Sequence, residues 1–153
     1  MIKVGSFVIA GDWDSTPTPE GKWRIVMPPL GHCYGAGWHD TTKAALLALS
    51  QYVKPRMSFH ELGAGSCILS IAAEKLGASP VYATELNPEA LAAGRRVLAA
   101  NNSQVQLIEG TFIDDHVDVA VVSISTKFAQ DNLGKINAST ILVVHDDATL
   151  EVL

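Results

Sequence analysis

The chain has 153 residues, 48% of them apolar, which is the length of one domain with enough apolar side chains for a core of its own. A net charge of −5 and a pI of about 5.4 lack the clustered Lys and Arg on which phosphate-backbone binding draws, so no nucleic acid partner is expected. No apolar run approaches the ~18 residues that cross a bilayer, and no secretory leader pattern opens the chain. The expectation is therefore a cytoplasmic protein with no membrane partner, with Cys33 and Cys67 as reduced thiols and His32–Cys33 short of the further ligands a metal needs.

In chain order, Ile2 to Ala10 and Lys22 to Met27 read as two strands. Between them GDWDSTPTPEG is too rich in Gly, Asp and Pro for regular structure. The pair is expected as a β-hairpin or flap, followed by the loop MPPLGHCYGAGWHD, so that residues 1–40 form an N-terminal hairpin and loop. Residues 41–153 form the α/β core of the single domain. From Thr41 the apolar positions Ala45, Leu46, Leu49, Tyr52 and Val53 share one helical face, and Pro55 ends that helix.

Beyond Pro55, strands are expected near Met57 to Leu62, Val81 to Thr84, Val105 to Ile108, Val117 to Ile124 and Thr140 to Val144. Helices are expected near Cys67 to Leu76, Pro88 to Asn101 and Lys127 to Leu133, with Asn87 as N-cap before Pro88. Repeated strand–helix–strand units imply a parallel sheet with right-handed crossovers. Asp114, Asp115 and Asp118 read as a solvated turn, and His60, on a buried strand, as a hydrogen-bonded core histidine.

The chemistry concentrates in FHELGAGSCILSIAAEKLGA, where a strand ends in an acid, a glycine-rich turn follows and a helix begins at once. Gly63 and Gly65, with Ala64 between them, let the backbone bend sharply and let a ligand approach N–H groups at a helix start. A dinucleotide turn, Gly-x-Gly-x-x-Gly, would place glycine where this chain has Ile68, which disfavours an NAD-dependent oxidoreductase. Glu61, two residues before the first glycine, suits instead the amino-acid end of S-adenosylmethionine, which carries a sulfonium and an ammonium. Glu85, at the end of the second strand of the core and followed by Leu86, is placed to accept ribose hydroxyls.

These segments resemble the PrmA-like ribosomal protein methyltransferases, from about Lys3 to Val144. YGAGWHDTT (34–42) is similar to that family's FGTGxHxTT loop, and ELGAGSCILSIAAEKLGA to its glycine turn and helix. The resemblance implies a doubly wound, mainly parallel sheet of order 3-2-1-4-5 and S-adenosylmethionine as cofactor. It places Thr42, Gly63 and Glu85 on cofactor-contacting positions, and His39 either lines that site or orders its loop. Two departures stand out. Cys67 replaces the third glycine and is expected to crowd the turn, and Ser123 stands where the family has an Asn near the transferring methyl.

Relative to the family the chain begins at the flap, without the substrate-recruiting domain, and stops after the fifth strand, without the final antiparallel pair. The family's own substrate is therefore not expected, and the edge of strand 140–144 is expected to be covered by a second copy or a partner protein. The activity implied is S-adenosylmethionine-dependent in-line methyl transfer to a small molecule or partner protein. The alternative is a non-catalytic cofactor-binding or interaction module.

In an open α/β sheet the pocket lies beyond the carboxyl ends of the strands. There Ser123 is a candidate toward the acceptor, and His145, beside Asp146, either acts as a base or merely faces water or caps a neighbour. Trp13 and Trp38 either wall the acceptor side or pack the flap, and Thr111 occupies the place where many such folds put an adenine-side Asp.

Overall fold

A computed structural model describes residues 1–30 and 39–153; His32, Cys33 and Trp38 lie outside the described residues. Strands β1 (Ile2–Val4), β2 (Phe7–Gly11) and β3 (Trp23–Met27) form a three-stranded sheet in that order. The expected hairpin is differently built. It lies inside the first stretch, where Gly5 at φ 54° turns β1 antiparallel onto β2 with Val4 opposite Phe7. A two-residue turn opening on a glycine matches the twist of such strands. β3 runs parallel to β2, not antiparallel, because the intervening loop crosses over before β3 begins.

Helix α1 (Asp40–Tyr52) leads to the main sheet, made of β4 (Phe59–Leu62), β5 (Val81–Glu85), β6 (Gln106–Glu109), β7 (Val117–Val122), β8 (Ala138–Val144) and β9 (Leu150–Val152). Helices α2 (Ile68–Lys75), α3 (Pro88–Ala100) and α4 (Thr126–Asn132) connect its parallel strands. The order is β6-β5-β4-β7-β8-β9. Its first five members reproduce the order 3-2-1-4-5, with β9 added antiparallel at the edge.

That added strand corrects the expectation of an open edge. His145 donates its N–H to the Thr149 carbonyl at 2.9 Å, and Ala148, at φ 65°, donates to the His145 carbonyl at 2.8 Å. This tight turn carries Leu150, Glu151 and Val152 back along Val144, Val143 and Leu142. The edge of β8 is therefore paired within the chain, and the argument for a second copy or partner there loses its basis.

Alternation along the strands divides the core into two layers. Val119 and Val121 of β7 and Leu142 and Val144 of β8 join the larger cluster, which also takes in α1, α2 and the small sheet. Ala120, Val122 and Val143 face the smaller cluster with Ala129 of α4. Helices thus lie on both faces of a sheet whose central strands, β4 and β7, are buried along almost their whole length. Asn87 caps α3 by accepting from the Glu89 and Ala90 N–H groups, with Pro88 at the first helical position. At the other end of α3, the Asn101 amide accepts from the Val26 N–H and donates to its carbonyl, both at 2.8 Å. This amide satisfies the outer edge of β3 as a neighbouring strand would.

Candidate functional site

The turn after β4 alternates hands: Gly63 (φ 65°), Gly65 (φ 54°) and Cys67 (φ 63°) are all left-handed. Gly63 is required twice over, since a Cβ there would also stand 2.4 Å from Ile124 Cγ1. Cys67 carries the same conformation with a side chain, at a cost of about 1–2 kcal/mol. Its thiol is buried and lies toward α3, where a Cβ on Gly94 would be 3.0 Å from the sulfur. The crowding expected at Cys67 therefore falls on the helix behind the turn. There a glycine gives way to it, and Cys67 lines neither of the two cavities described next.

Two carboxyl groups hold the turn. Glu85, ending β5, accepts from the Gly65 N–H through Oε1 at 3.0 Å and from the Leu86 and Asn87 N–H groups through Oε2 at 2.9 and 3.0 Å. Roughly four acceptor positions are available on a carboxylate, so about one remains for a ligand hydroxyl. Glu61, the penultimate residue of β4, accepts from the Ser70 N–H at 2.9 Å and the Ser70 hydroxyl at 2.6 Å. Its Oε1 therefore satisfies a buried amide in the first turn of α2 that has no partner within the helix. Burial pushes the Glu61 carboxyl up to about 8, against the opposing pull of those hydrogen bonds. Behind it, His60 meets Thr84 Oγ1 at 2.8 Å, and burial holds its imidazole down at about 4, as expected of a neutral core histidine.

Two cavities open at this end of the sheet. The first, of about 260 Å³, is lined by His39, Thr42, Glu61, Gly63, Ala64, Gly65, Glu85 and Ser123, together with Thr41, Ser66, Ile68 and Leu69. The second, of about 300 Å³, is lined by Gly63, Glu85, Leu86, Gly110, Thr111, Ile124 and Phe128. The first is ringed by hydroxyl and carboxyl groups. The second is mostly apolar. Gly63 and Glu85 belong to both, so one carboxylate stands where a polar compartment meets an apolar one.

Among the residues singled out from sequence, His39, Thr42, Glu61, Gly63, Ala64, Gly65, Glu85 and Ser123 converge on the first cavity, and Leu86 on the second. His145 lines neither. Its Nδ1 meets Thr126 Oγ1 and its Nε2 meets Glu151 Oε1, each at 3.1 Å, while the Asp146 N–H donates to Thr126 Oγ1. These contacts tie the start of α4 to β9. Trp13 is 76% exposed and stacks over Gly11 of the small sheet. Ile124 and Phe128 were not foreseen, and their signal was large apolar side chains just past the carboxyl end of β7.

A polar compartment, a carboxylate and an apolar compartment in sequence fit a ligand with a charged amino-acid end, a ribose and a base. A pyrophosphate fits poorly, because the acidic groups lie where phosphates would go.

Comparison with known proteins gives the same direction. The sequence profile described as ribosomal protein L11 methyltransferase (PrmA) matches residues 2–139. The ribosomal protein L11 methyltransferase of Caldicellulosiruptor saccharolyticus is 33% identical over 126 residues, 80% of this chain and 41% of that protein. That of Carboxydothermus hydrogenoformans is 32% identical over 128 residues, 80% of this chain and 42% of that protein. The chain thus spans about two fifths of the length of the curated relatives it matches. The crystal structure of the ribosomal protein L11 methylase from Lactobacillus delbrueckii subsp. bulgaricus superposes with a TM-score of 0.78 at 27% identity, covering 90% of this chain and 73% of that one.

Proposed function

Because the chain belongs to the ribosomal protein L11 methyltransferase (PrmA) family, we propose that it binds S-adenosylmethionine across the two joined cavities and directs its methyl to an acceptor entering beside Ser123. The observation that carries this reading is Glu85, whose carboxylate lines both cavities at once. That is where the ribose of a nucleoside with a charged tail belongs. Glu61 faces the polar compartment, where an ammonium or sulfonium offsets the burial of its negative charge.

When bound, the cofactor supplies a methyl on positively charged sulfur, open to in-line displacement. The chain contributes alignment and exclusion of water more than acid–base chemistry. The acceptor is a small molecule or a protein, as the names of the relatives suggest for a protein acceptor.

Ser123 favours a second reading, a binding module without transfer. Its hydroxyl lines the first cavity but lacks the fixed donor–acceptor plane of an amide.

Thermal unfolding with S-adenosylmethionine, S-adenosylhomocysteine and NAD tests the binding step. A ligand at 100 times its dissociation constant adds about 2.7 kcal/mol. Stabilisation by the first two and not by NAD is the expected result, whereas stabilisation by NAD alone, or by none, overturns it. Transfer of labelled methyl to a protein or small-molecule fraction then separates the enzyme from the binding module.

A further inference from the structure

We propose that the apolar cavity reads a purine by its faces and does not read its 6-position, so that the chain takes inosine-based ligands as well as adenosine-based ones. The proposal rests on the cofactor reading above. It concerns which nucleosides that site accepts.

The cavity is flanked by Leu86, Ile124 and Phe128, two of which expose large apolar surface, Leu86 at 63% and Ile124 at 44%. Apolar side chains on either side of a flat ring contribute through area buried, and every purine offers the same faces. Selection between purines then falls to the polar groups at the ring edge. Among the described residues the cavity has two polar side chains, Glu85 and Thr111. Glu85 is committed to three backbone N–H groups and to the ribose side. The Thr111 backbone is fixed by its carbonyl, which accepts from Thr84 Oγ1 at 2.8 Å. Its hydroxyl has no hydrogen bond of its own among the described residues.

A hydroxyl rotates, donates and accepts. It meets adenine by accepting from the 6-amino group or donating to N1. It meets hypoxanthine equally by donating to the 6-oxygen or accepting from N1–H. A carboxylate in its place would accept only, rewarding the amino group and repelling the oxygen. The nearest acid in sequence, Glu109, ends β6 in register with Glu85 but does not line the cavity.

Calorimetric titration of the whole chain with S-adenosylhomocysteine and with its deaminated counterpart, S-inosylhomocysteine, decides the matter. The two dissociation constants are expected to agree within about threefold, since neither base leaves a buried polar edge unpaired. Thr111→Asp is expected to open a gap of about tenfold or more in favour of the adenosyl ligand, Thr111→Val to weaken both alike, and Glu109→Gln to leave the ratio as it was. A wild-type preference of about tenfold or more for the adenosyl ligand, or a ratio that Thr111→Val shifts by as much, overturns the inference while leaving the cofactor reading intact. Failure of S-adenosylhomocysteine itself to bind overturns both.

Discussion

Glu85→Ala is expected to remove most of the stabilisation of this protein by S-adenosylhomocysteine while leaving it folded. The substitution removes the group shared by both cavities and the acceptor of the Gly65, Leu86 and Asn87 N–H groups. Two losses combine. The ligand loses a charge-assisted hydrogen bond to the ribose, and the glycine turn loses the carboxylate that fixes its second glycine. Together they are expected to weaken binding by about 2–3 kcal/mol, roughly thirtyfold to a hundredfold or more. In the ligand-free protein the bonds to Leu86 and Asn87 are exposed, so water replaces much of what is lost and the stability cost is expected at about 1–2 kcal/mol. Glu85→Gln retains one carbonyl oxygen and is expected to fall between. Scanning fluorimetry of the three proteins with and without ligand checks the order, and an unchanged ligand shift in Glu85→Ala places the ribose elsewhere.

The second large effect concerns pH. Glu61 titrates near 4.5 in the unfolded chain and at about 8 when buried, so between those values the folded state holds a proton that the unfolded state has released. Stability therefore falls as pH rises through that window. His60 acts oppositely. Its imidazole takes a proton near 6.5 unfolded and only at about 4 folded, so stability rises with pH between those limits. The two slopes oppose each other below pH 6.5.

Above pH 6.5 the fall from Glu61 outweighs the residual opposing slope of His60, and stability is expected to fall by about 1 kcal/mol between pH 6.5 and 8. Glu61→Gln keeps an acceptor for Ser70 and is expected to flatten that slope, with higher stability at pH 8 than the wild type. Urea midpoints at pH 6.5, 7.25 and 8 measure it, and a wild-type slope that survives in Glu61→Gln assigns the effect to another group. The same carboxyl links pH to binding. A cationic ligand favours its ionised form, so binding is expected to release protons near neutrality and to tighten toward pH 8.

What the sequence made legible are features that the backbone itself demands. Gly63 and Gly65 were readable because a sharp turn into a helix needs glycines, and the acids at 61 and 85 from their places beside that turn and at a strand end, whereas their hold on the turn's amides was not. Pro88 after Asn87 marked α3 for a similar reason. What remained hidden depended on partners distant in sequence or on conformations without a residue signature. β9 has three exposed residues and turns on Ala148 at φ 65°, a left-handed position that alanine does not advertise. Gly5 interrupts an apolar stretch that otherwise reads as one strand, so the hairpin was placed one turn too late. His145 sits at a strand end as foreseen, but the hairpin beyond it brings Glu151 alongside and holds the imidazole against Thr126. The apolar compartment was missed because Ile124 and Phe128 read as ordinary core residues until the sheet places them beside Gly110 and Leu86.

The most direct test is a crystal structure of the protein soaked in S-adenosylhomocysteine. The account predicts the ribose against the Glu85 carboxylate, the amino-acid end toward Glu61 and the base between Leu86 and Phe128. An empty cleft at millimolar ligand, or a nucleoside bound away from Glu85, contradicts it.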